Sequence, residues 1–72
     1  MARLTSAQYD ALERAIAAGQ RIAIQRRGTE YVVVPARLRT SGRHEVIEAV
    51  HPTTGERMEF LLDDLDDIQV VR

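Results

Sequence analysis

The chain has 72 residues, ten arginines, no lysine, no cysteine and a formal net charge of −1. That length makes one domain over 1–72 with a marginal core, and the missing cysteines exclude disulfides, thiolate metal sites and thiol nucleophiles, so self-association is the remaining source of extra stability. The opening MARLTSAQYD has no long apolar run, which argues against a signal peptide or a membrane span and for a cytoplasmic protein.

Residues 6–18 are predicted to form a helix. Thr5 and Gln8 have capping-box spacing, Leu4 and Tyr9 stand at hydrophobic-staple positions, and Gly19 is the expected terminator. Tyr9, Leu12 and Ile16 form its apolar stripe, and the alanines allow close approach. From about residue 20 to 72 the pattern changes to short strands cut by turns, as in a small all-β barrel or sandwich. Ile22 and Ile24 share one face of the first strand, and Arg27-Gly28-Thr29 makes a hairpin.

The second strand is expected to place Val32, Val34, Ala36 and Leu38 on one face and Tyr31 and Val33 on the other, with both faces covered. Pro35 marks an edge or a bend in it. Ser41-Gly42 reads as the next hairpin tip. In the third strand Ile47 and Ala49 oppose Val46 and Val50, and Pro52-Thr53-Thr54-Gly55 is a turn. Met58, Phe60 and Leu62 point inward on the fourth strand, so Val34, Leu38, Phe60 and Leu62 are expected in one core. Asp63 to Asp67 reads as a single turn, and Ile68, Val70 and Val71 close the sheet. The fold class is therefore mainly β with one N-terminal helix, a five-stranded antiparallel barrel of the Sm-like or SH3-like kind.

From Leu12 to Val71 the chain resembles the WYL domain, a regulatory module of bacterial transcription factors and defence-system proteins. The resemblance lies in the helix-then-strand entry, Val33-Val34-Pro35 followed by Ala-Arg-Leu, the segment Phe60-Leu61-Leu62-Asp63 and the closing Ile68-Gln69-Val70-Val71. It differs where the family carries Trp-Tyr-Leu, which reads Glu45-Val46-Ile47 here. Asp64 stands where the family has an arginine, and Arg57 aligns loosely with another. The resemblance implies a small barrel with a ligand pocket for nucleic acid or nucleotides.

Charge is divided along the chain. Residues 21–43 carry six arginines against Glu30, for +5, while residues 44–72 carry two arginines against eight acids, for −6. The arginines at 21, 26, 27, 37, 39 and 43 are the best functional candidates, and Arg21, Arg27, Arg37, Arg39 and Arg43 are the expected ligand or nucleic-acid contacts. Arginine's planar fork suits phosphate. The bland alternative pairs them with Glu45, Glu48, Glu56 and Glu59 across the sheet. Few aromatic platforms exist, so any nucleic-acid or nucleotide binding should be weak.

His44 and His51 fall on opposite strand faces and cannot share a metal. The four aspartates lack the alternation and glycine of a calcium loop. No acid/base pair or nucleophile can be placed, so neither catalysis nor a cofactor is expected. A non-enzymatic binding or regulatory module is the leading reading. A structural homo-oligomer or partner subunit, joined head to tail through its charge-split surfaces, is the alternative.

Overall fold

The computed structural model describes residues 4–71. It is mainly β with one helix: α1 (Ser6–Ala18), β1 (Ile22–Arg26), β2 (Thr29–Ser41), β3 (His44–Val50), β4 (Arg57–Leu61), a 3₁₀ turn (Leu62–Asp64) and β5 (Leu65–Val70). The strands form one antiparallel sheet in the order β4-β3-β2-β1-β5. β4 and β5 do not pair, so the sheet is open.

The helix starts and stops where its capping chemistry dictates. Gln8 N–H donates to Thr5 Oγ1 at 3.1 Å, and Thr5 N–H donates back to Gln8 Oε1 at 3.0 Å, so two orphan donors are satisfied reciprocally. Gly19 ends it at φ +65°, and Gln20 N–H reaches the Ala15 carbonyl at 2.9 Å in a Schellman arrangement. Leu12 and Ala15 form the buried centre of its inner face, with Tyr9 and Ile16 packed at the margins. The missing side-chain bulk at Ala15 lets the helix lie close to β2 and β5.

β2 is the strand on which both ladders depend. Thr29 to Val33 pairs with β1, whereas Val34 to Ser41 pairs with β3. The handover falls at Pro35, two residues past the last partner on β1, where a missing N–H interrupts no β1 ladder. The register then slips: Pro35 faces Ala49 and Arg37 faces Glu48, which leaves Ala36 as the extra residue of a bulge.

That bulge overturns the simple alternation expected of β2. Before it, Val33 and Pro35 are buried and Tyr31 is half-buried, while Val32 is exposed and Val34 lies on the outer face. After it the parity reverses and Leu38 packs against the core. Val34 therefore does not join Leu38, Phe60 and Leu62, and Ala36 is exposed. The outer face of β2 is not covered as expected.

Alternation holds along β1 and β4. Ile22 and Ile24 are fully buried on β1, and Phe60 and Leu62 are buried beside half-buried Met58. Val46 and Ile47 are both buried, yet only Ile47 belongs to the main core; Val46 sits on the opposite face. The second hairpin tip is Gly42-Arg43, one residue later than expected, because Ser41 pairs with His44. The aspartates divide between two elements, with Asp63 and Asp64 in the 3₁₀ turn and Asp66 and Asp67 in β5. Asp66 is extra in the ladder, because Gln25 faces Asp67 and Arg26 faces Leu65.

Candidate arginine face

The outer face of β2, β3 and β4 carries a transverse row of three facing residues, Arg37, Glu48 and Glu59. Arg37 Nη2 lies 3.2 Å from Glu48 Oε2. Arg39, in the next row, donates from Nε to the same Glu48 oxygen and from Nη2 to Glu59 Oε2 at 2.7 Å. Alternation on three adjacent strands brings these groups together, since each points away from the core. The Arg37 hydrogen bond, followed by that of Arg39, holds the Glu48 carboxyl below its usual range. Hydrogen bonds from Glu59 and Glu48 in turn hold Arg39 protonated beyond its ordinary range.

The Arg39 side chain is 29% exposed and fixed by two carboxylates, whereas Arg37 is 65% exposed and keeps most of its surface in water. Exposed pairs of this kind add little stability. Their effect is to orient the guanidinium of Arg39.

The five expected contact residues do not converge. Arg37 and Arg39 share the face just described. Arg21 and Arg27 flank opposite ends of β1, a separation of roughly 17 Å or more at strand rise. Arg27 occupies the first turn, 3.5 Å from Asp64, and Arg43 is exposed at the second hairpin tip. Arg21 and Arg43 have no acidic partner among the described residues. The predicted pairing with glutamate is realised at Glu48 and Glu59, while Glu45 accepts from the Tyr9 hydroxyl on the inner side.

Arg26 is the residue that the expected contact set omitted. It follows Ile22 and Ile24 in parity, so it turns toward the end of the core. Its guanidinium stands 4.8 Å from the Tyr31 ring centroid and 5.1 Å from that of Phe60, and Nη2 donates to the Tyr31 hydroxyl at 3.2 Å. The inward parity was the available signal, but a charged side chain at a strand end ordinarily turns to solvent. Arg26 and Arg39 both line a hollow of about 460 Å³ that includes Val46, Leu61, His44 and Glu59.

Both histidines have structural partners. His44 Nδ1 lies 3.1 Å from Asp63 Oδ2, joining β3 to the 3₁₀ turn. His51 Nδ1 accepts from the N–H groups of Thr53 and Thr54 at 3.1 and 3.2 Å and so shapes the Pro-Thr-Thr-Gly turn. Among the described residues no group of three or more His, Asp or Glu side chains is placed to hold a metal. No helix among them is long and apolar enough to cross a membrane. No family model matches the chain, and no curated protein matches it.

Proposed function

We propose that this chain is a non-enzymatic binding or regulatory module on an Sm/SH3-like barrel, akin to a free-standing WYL-like domain. Its ligand is a phosphate-bearing one, a nucleotide or nucleic acid, held on the face of Arg37 and Arg39. A cytoplasmic setting belongs to the same reading. The observation that supports it most is the Arg39 guanidinium, held by Glu48 and Glu59 in a hollow that Arg26, Val46 and Leu61 also line. A preorganised fork loses less freedom on meeting phosphate than a mobile one. The helix ahead of five antiparallel strands, with bulges in the β2–β3 and β1–β5 ladders, supports the small-barrel part of the reading.

Glu48 and Glu59 limit the affinity, because phosphate must compete with carboxylates already in place. Titration of a labelled single-stranded oligonucleotide into the protein should give weak binding that falls steeply with salt. The double substitution Arg37→Ala/Arg39→Ala should abolish it, and Glu48→Gln/Glu59→Gln should strengthen it. Tight binding at high salt, or binding indifferent to the arginines, would refute the reading.

A structural homo-oligomer or partner subunit is the second reading. It is supported by the exposed Arg21 and Arg43 in the basic segment, which have no acidic partner among the described residues, and by the exposed Glu56 and Asp66 in the acidic one. Arg27, Arg37 and Arg39 instead spend their charge within the chain.

A further inference from the structure

The two outer strands of the sheet are not equivalent. β5 is attended by the helix, which packs on it and whose Gln8 Nε2 donates to Asp67 Oδ1 at 3.4 Å; just past the ends of both elements Gln20 Nε2 donates to the Val71 carbonyl at 3.2 Å. β4 pairs with β3 alone, and no other strand of the described residues lies beside it. A strand edge of this kind presents backbone N–H and C=O groups ready to pair with another strand. A hollow of about 590 Å³ lies across the neighbouring parts of β2, β3 and β4, and Arg57, Met58 and Glu59 are its β4 lining.

We infer that β4 pairs antiparallel with β4 of a second copy, about a two-fold axis at Met58, so that two sheets become one. The side chains of β4 select this register. With the axis at Met58, Arg57 falls opposite the second copy's Glu59, and Glu59 opposite the second copy's Arg57. Two opposite-charge pairs then form on the outer face. With the axis at Glu59 two carboxylates meet directly, and Arg57 faces Leu61. A slip by a single residue sets outward side chains against inward ones.

The unspent valence of these residues fits the same register. Arg57 has no acidic partner among the described residues. Glu59 is 62% exposed and engages Arg39 through Oε2 alone. Met58 is half-buried against the core, and a facing methionine completes its cover. The contact is isologous, so it closes at two copies and does not propagate. It takes up the assembly reading without its head-to-tail geometry, and it holds whether or not the arginine face takes a ligand.

The chain has no cysteine, so a cysteine introduced by substitution is its only thiol. Residues directly opposite in an antiparallel pair have Cα atoms about 4.5–5.5 Å apart, within disulfide reach. Oxidation should link Met58→Cys into a dimer and leave Arg57→Cys unlinked, because its two copies stand in staggered rows. Sedimentation velocity at high micromolar protein should give a dimer. Arg57→Glu, which acts twice per dimer, should weaken it about tenfold, and Arg57→Glu/Glu59→Arg should recover most of that loss. These charge variants lie on exposed positions and keep the test alive if Met58→Cys fails to fold. A monomer would overturn both this pairing and the assembly reading. A larger ring or filament, linkage at position 57 in preference to 58, or a dimer indifferent to Arg57→Glu would overturn this pairing alone.

Discussion

At Phe60 three interactions meet: near-complete burial, a tilted contact with Tyr31 at a ring-centroid distance of 5.5 Å, and the Arg26 guanidinium at 5.1 Å. Burial is the largest of them, because a stacked cation at a partly exposed site contributes about 0.5–1 kcal/mol. Phe60→Ala should cost about 3–5 kcal/mol, which could unfold a core this small. Urea denaturation followed by circular dichroism measures it, and near-native stability would show that the ring is dispensable. The inward direction of Phe60 was legible from its alternation with Met58 and Leu62. The stacking of Arg26 was not, since it depends on where the sheet bends Tyr31 and Phe60 toward each other.

The first hairpin shows how local geometry limits an element. Arg26 pairs with Thr29, which leaves Arg27 and Gly28 as the two turn residues, at φ +50° and +80°. Two positive φ values in a two-residue loop belong to the type I′ turn, which asparagine-glycine fills well. Arginine at the first position is strained, and its exposed pair with Asp64 returns little. Arg27→Asn should therefore raise stability by about 0.5–1 kcal/mol, read as a higher denaturation midpoint at unchanged slope. A fall in midpoint would mean that the Asp64 contact outweighs the strain. Gly28 announced this turn in the sequence, but nothing there announced that Arg27 would share its conformation. The two bulges were hidden for a related reason. Alternation counted straight through Pro35 puts Val34 and Leu38 on one face, whereas the extra Ala36 separates them. The run of aspartates reads as a turn until β1 supplies a ladder that holds Asp66 and Asp67 extended.

Across the whole molecule, charge along the chain differs from charge over the surface. The basic β2 lies beside the acidic β3, so the two segments interleave in space and Arg37, Glu48 and Glu59 fall in one row. The helix, the five strands and the inward set on β1 and β4 were readable because each follows a period that burial imposes. The arginine face was readable only in part: Arg37 and Arg39 share a strand parity, whereas Arg21, Arg27 and Arg43 sit at turns and ends whose directions are fixed by tertiary pairing. The bond between Val71 N–H and the Arg21 carbonyl, and the pairing of Ile22 with Val70, have a consequence for the nascent chain. Each of the three hairpins joins neighbours in sequence and can zip as it leaves the ribosome. The β1–β5 ladder is different, because closing so long a loop carries a larger entropic cost and must wait for the last strand to be made. Until then Ile24 lacks its Ile68 neighbour and the helix lacks its packing on β5. A chain stopped after Asp64 should remain protease-sensitive and collapsed without fixed packing; a sharp, cooperative melt from that fragment would mean that β5 only decorates a fold already complete.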